Sequence, residues 1–125
     1  MSIAFWSVLV VVLMPLLWTA IAKYSGRYDN HQPRVYLEAS TGYRQRAHWA
    51  AQNAMEAVPG FAAGVIIAHL AGADALWVDR LAIAFVVLRL AHGFTYLANW
   101  ATARSLVWVA AVVAMVGLFV AAARA

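Results

Sequence analysis

Residues 47–73 read AHWAAQNAMEAVPGFAAGVIIAHLAGA. The stretch is long enough to cross about 30 Å of hydrocarbon as a helix, yet it carries His48, Gln52, Asn53, Glu56 and His69. An ionisable group at the centre of a bilayer costs roughly 2.5–3.5 kcal/mol on insertion scales. Glu56 therefore needs a partner or a function. Residues 75–98 pose the same problem, with Asp79, Arg80, Arg89, His92 and Tyr96 inside another apolar run.

Around these two stretches the chain is still more apolar. Residues 3–22 and 105–123 contain no charge. Of the 125 residues, 66% are hydrophobic and 11% charged, far from the balance of a soluble domain. The length allows one domain. The expected fold is thus an all-α integral membrane domain over residues 1–125, with four transmembrane helices near 3–22, 47–73, 75–98 and 105–123. Open strands cannot satisfy their backbone in lipid. Ala20-Ile21-Ala22 resembles a signal-peptide cleavage site, but no positive charge precedes the long first run, which is read as a span with a kink expected at Pro15.

Charge sets the expected orientation. The polar loop 23–45 holds Lys23, Arg27, Arg34 and Arg44, and Arg46 and Arg104 lie on the same side. The other side has Arg80 and Arg124 beside Asp74 and Asp79. The positive-inside rule places the large loop in the cytoplasm and both termini opposite. Tryptophans and tyrosines near the span ends fit an interfacial belt. Short connections near 72–74 and 99–104 make spans two, three and four antiparallel neighbours.

The composition excludes several functions. The chain has no cysteine, so disulfide, zinc-thiolate and thiol-nucleophile chemistry on its own side chains are ruled out. The net charge of +4 is spread over membrane-flanking positions, which argues for a basic membrane face and against nucleic acid as partner. His48, His69 and His92 lack a spacing that converges with a carboxylate, and no metal site is expected.

Depth and helical phase connect the polar residues. Glu56 and Arg89 lie about 11 residues in from the cytoplasmic side, roughly 16 Å at 1.5 Å per residue. Asn53 and Glu56 share a helix face, and Arg46 falls on it seven residues earlier. Arg89, His92 and Tyr96 share a face of span three. The two faces are expected to line one cavity, with Glu56 and Arg89 as mutual charge partners. Arg46, Arg89 and Arg104 suit an anion, and Asn53 and Glu56 an amine or amide, so the cavity suits a small zwitterionic, multiply carboxylated molecule. The competing reading is a structural Glu56–Arg89 pair that fixes helix register. Alone, His92 reads as an interhelical hydrogen-bonder and Tyr96 as an interface residue. Gly60 and Gly64 are expected to allow close helix contact.

Arg46-Ala47-His48, Asn53-x-x-Glu56-x-x-Pro59, Arg89-x-x-His92-x-x-x-Tyr96 and Arg104-Ser105-Leu106 follow in order along the chain. This pattern resembles the MAPEG family, the membrane-associated proteins of eicosanoid and glutathione metabolism, over essentially the whole length. The span-three motif is closest to the microsomal glutathione transferase and microsomal prostaglandin E synthase branches. The resemblance implies a homotrimer of four-helix subunits, in contact with membrane lipids, with glutathione as co-substrate between subunits and a lipophilic small molecule as second substrate. It implies Asn53, Glu56, Arg89, His92 and Tyr96 as glutathione-site residues, and Arg104 as the residue that stabilises the thiolate. Arg46 is displaced by about one turn from the family position. The family's loop motif is replaced by Asn30-His31-Gln32-Pro33-Arg34, where Arg34 offers a substitute cation. The implied activity is glutathione-dependent transfer or peroxide reduction in detoxification. The alternatives are a non-catalytic lipid-binding or scaffold member, or a small accessory subunit of a membrane complex.

Overall fold

The computed structural model describes residues 1–25 and 27–125; position 26, in the expected loop, lies outside them. Five helices and no strand are found among the described residues: α1 (Ile3–Lys23), α2 (Pro33–Ala39), α3 (Gly42–Leu70), α4 (Ala75–Leu97) and α5 (Ala101–Ala123). Three of them, α1, α3 and α5, are long and apolar enough to cross a membrane. The α4 helix equals α5 in length at 23 residues, but its polar residues set it apart.

Two expectations about the loop change. It contains α2, which starts on Pro33 at a position where the missing N–H costs nothing. Leu37 anchors this helix against Ala22 and Ala47. The α3 helix also begins at Gly42, before the expected 47, so Arg44 and Arg46 sit on its first turns. Those turns are polar because they extend past the apolar stretch, which is why hydropathy alone missed them.

The tight connections end in matching caps. Gly72 and Asn99 both take left-handed φ values, 75° and 58°. Ala73 N–H donates to Ala68 O at 3.0 Å, and Trp100 N–H to Thr95 O at 3.0 Å. These six-residue loops-back are the Schellman arrangement, which favours glycine and tolerates asparagine.

In the bundle, α3 and α4 each pack against both α1 and α5. They form the central pair, and Arg89 and His92 on α4 are buried in the bundle. One apolar cluster includes Val11, Phe61, Val65, Phe85 and Leu118; a second joins Met14 and Trp18 to Ala50, Ala51 and Ala54. Between α1 and α4 the approach is close enough that a Cβ on Gly93 would lie 2.0 Å from the Trp18 ring. Gly60 and Gly64 face Met115 and Leu118 on α5, the close contact expected of them. Asp79 on α4 accepts the Ala4 N–H at 2.8 Å. It thus satisfies one of the free donors at the start of α1.

Candidate functional site

The central pair buries Arg89 and His92 of α4. Arg89 is 3% exposed and His92 3% exposed. A charge so buried requires an acceptor, and Arg89 Nη2 donates to Asn53 Oδ1 at 2.7 Å. The expected partner was Glu56. Asn53 lies three residues earlier on the same face and occupies the contact with α4, which leaves Glu56 exposed at the bundle surface. Depth brought Glu56 and Arg89 to one region, but side-chain position within a turn decided the pairing.

Glu56 and Arg89 still meet at a cleft of about 270 Å³ between α3, α4 and α5, whose polar end is Asn53, Glu56 and Arg89. A second cleft of about 350 Å³ is lined by Trp49, Gln52, Asn53, Glu56, Tyr96 and Arg104. The clefts share Asn53 and Glu56. Along α4, His92 and Tyr96 are in edge-to-face contact with ring centroids 5.3 Å apart. The Arg104 guanidinium carbon lies over the Tyr96 ring at 4.5 Å, a cation–π geometry. Three helices thereby contribute to one polar region.

Arg104 lies in the first turn of α5. The helix N-cap, Trp100, makes no side-chain capping bond, and no acidic residue occupies the first turn. The partial positive charge of the helix N-terminus is therefore added to that of Arg104. This corner attracts anions. Two buried nitrogens of the cluster, Arg89 Nε and His92 Nδ1, have no protein hydrogen-bond partner. They leave bonding capacity for a polar ligand or ordered water.

Two of the sequence candidates lie elsewhere. Arg46 donates from Nη2 to Leu97 O at 3.2 Å, capping the C-terminus of α4 in the manner favoured for a cation. Arg34 is exposed on α2 and lines neither cleft. The sequence reading also passed over residues that do line the clefts. Gln52 precedes Glu56 by four residues, a spacing that marks a shared face. The apolar wall formed by Phe85, Trp108, Val112 and Met115 carries no comparable signal, since such residues fill any span.

No curated protein and no solved structure gives a significant match to the chain. The model of the MAPEG family, by contrast, matches residues 3–124, from the start of α1 to the end of α5, and the chain belongs to the MAPEG family.

Proposed function

We propose that this protein is a membrane-bound glutathione-dependent transferase or peroxidase acting on lipophilic electrophiles. Membership of the family supports a glutathione- or eicosanoid-related membrane role in general, and its members generally use glutathione. The observation that carries the finer reading is the Arg104 corner. A cation at an uncapped helix N-terminus borders a cleft that also holds Glu56, Gln52 and Tyr96.

The residues fit a thiol tripeptide. The Glu56 carboxylate suits its amino group, and the Gln52 amide suits its peptide groups. Arg89, with a free Nε, suits a carboxylate. Arg104 and the α5 N-terminus favour the thiolate over the thiol, as positive charge near sulfur does. In transfer to an aryl halide, a sulfur–carbon bond forms and the carbon–halogen bond breaks. The halide leaves with the bonding electrons, and the thiol proton goes to solvent. Positioning and thiolate activation supply the rate. His92, buried against Tyr96, holds that ring in place beneath Arg104.

The same reading makes α4 a fourth span and the assembly a homotrimer. Glu56, exposed at the middle of α3, supports self-association, because a carboxylate facing lipid is costly and a second copy would cover it.

Two measurements on the detergent-purified protein test the function. Calorimetry should show glutathione binding, and a conjugation assay should show turnover of an aryl halide. Arg104→Ala should retain binding while conjugation falls about 100-fold, the loss typical of a removed anion-stabilising group. Its pH–rate profile should move to higher pH. Full activity in that variant removes Arg104 from the mechanism. No binding at millimolar glutathione favours a non-catalytic member, with the polar cluster as architecture.

A further inference from the structure

We propose that Arg46 is a positioning residue for the thiolate corner: by holding the last carbonyl of α4, it sets where Arg104 lies over Tyr96. The proposal rests on the glutathione reading and deepens it, because it makes Arg46 part of the frame of the site and not a contact of the tripeptide.

The end of α4 can be followed bond by bond. A helix leaves its last four carbonyls without intrahelical donors. In α4 these belong to Phe94, Thr95, Tyr96 and Leu97. The turn into α5 serves three of them. Ala98 N–H donates to Phe94 O at 2.9 Å, Trp100 N–H to Thr95 O at 3.0 Å and Asn99 N–H to Tyr96 O at 3.1 Å. Leu97 O takes its bond from Arg46 Nη2 at 3.2 Å, across 51 residues of sequence. The fourth bond thus comes from another helix. Its donor is a cation, which the negative end of α4 also attracts.

The clamped carbonyl lies beside the reacting corner. Leu97 directly follows Tyr96. Arg104 N–H donates to Trp100 O at 2.9 Å, so the first turn of α5 starts from the same connection, where Asn99 has its left-handed φ of 58°. The Arg104 guanidinium stands 4.5 Å from the centre of the Tyr96 ring. A shift of this connection moves α5 against α4 and carries Arg104 off Tyr96. The clamp is itself anchored: Ala47, next to Arg46, is buried with Ala22 and Leu37, and Leu97 packs on that cluster. Ends of α1, α2, α3 and α4 therefore meet at one point. Arg46 lines neither of the clefts that hold Arg89 and Arg104.

The test uses the full-length protein in detergent. Arg46→Met keeps the apolar stem and removes the donor, and Arg46→Lys restores a cationic donor. In Arg46→Met the glutathione Kd from calorimetry should be unchanged. Its kcat for the aryl halide should fall about tenfold, within the roughly 100-fold that a misplacement of about 1 Å can cost. The pH–rate profile should move to higher pH, because the displaced cation no longer favours the thiolate. Arg46→Lys should recover most of kcat and bring the profile back. In an Arg104→Ala background Arg46→Met should have little further effect, the non-additivity of residues that act through one another. Hydrogen exchange reads the clamp without glutathione: amides of residues 98–104 should exchange faster in Arg46→Met, and those of residues 71–75 at the wild-type rate. If Arg46→Met does not fold, Arg46→Gln, uncharged and too short to reach Leu97 O, carries the same comparisons.

Three results overturn the proposal. Weaker glutathione binding with kcat unchanged makes Arg46 a ligand contact. A fall in kcat that leaves the pH profile in place and adds to that of Arg104→Ala makes it a structural cap alone. Exchange at residues 98–104 as slow as in the wild type removes the clamp itself. A wild type that binds no glutathione overturns the glutathione reading, and hydrogen exchange then still decides whether Arg46 holds the turn.

Discussion

Arg89 shows how a single buried cation organises the interior. Its guanidinium is 3% exposed and relies on the Asn53 carbonyl oxygen at 2.7 Å. A hydrogen bond to a charged group contributes roughly 1.5–3 kcal/mol, and loss of one partner leaves the other with its desolvation cost. Asn53→Ala is therefore expected to destabilise the protein by about 2–3 kcal/mol, read from thermal or denaturant unfolding in detergent. Glu56→Gln should cost less than about 1 kcal/mol, since the hydrogen bond from Arg89 goes to Asn53 and not to Glu56. Equal destabilisation by the two substitutions would identify Glu56 as the real counter-charge. That Arg89, Asn53, Glu56, His92 and Tyr96 belong to one region could be read from depth and a three-to-four-residue period. Which acceptor Arg89 takes could not, because residues three apart share a face and only packing decides which one meets the neighbouring helix.

At the scale of the helix, contacts between elements rest on small residues at particular positions. The Trp18 ring of α1 lies where a Gly93 Cβ would be, at 2.0 Å. Gly93→Ala should overpack this crossing and cost at least about 2 kcal/mol. In a Trp18→Phe background the penalty should shrink, and a double-mutant cycle would measure the coupling. An unchanged penalty would locate the strain elsewhere. Asn99 holds a left-handed φ of 58° at the turn into α5. Asn99→Ala places a Cβ-bearing residue without a local polar contact in that conformation and should cost about 1–2 kcal/mol, while Asn99→Gly should be close to neutral. The long helices were legible because apolar runs of that length have few alternatives in a bilayer. The seven-residue α2 was not, since so short a helix depends on the docking of Leu37 onto Ala22 and Ala47 and leaves no periodic trace. Nor was the role of Asp79, whose bond to the Ala4 N–H joins residues 75 apart in sequence.

For the whole molecule, the placement of charge gives testable expectations for sidedness and assembly. The chain has no cysteine, so single cysteines introduced at Ser40 and Ala125 report accessibility without background. With the basic loop in the cytoplasm, a membrane-impermeant thiol reagent applied to intact cells should label Ala125→Cys and not Ser40→Cys; the reverse pattern would invert the topology. The proposed assembly is testable at Glu56. Its carboxylate sits near mid-span on an exposed face of α3, beside Gln52 and Trp49, which are also exposed. If this face met lipid, Glu56→Leu would remove a cost of roughly 2.5–3.5 kcal/mol, and the variant would be more stable with its oligomeric state unchanged. If a neighbouring copy and glutathione cover it, the same substitution removes their polar contacts. Glu56→Leu should then weaken glutathione binding and shift the protein from three chains per complex toward one, measured by native mass in mild detergent. Glu56→Gln, which keeps the hydrogen-bonding capacity, should preserve the trimer. A wild type that is monomeric in mild detergent and gains stability from leucine at position 56 would show that the face is turned to lipid and that the homotrimer does not form through it.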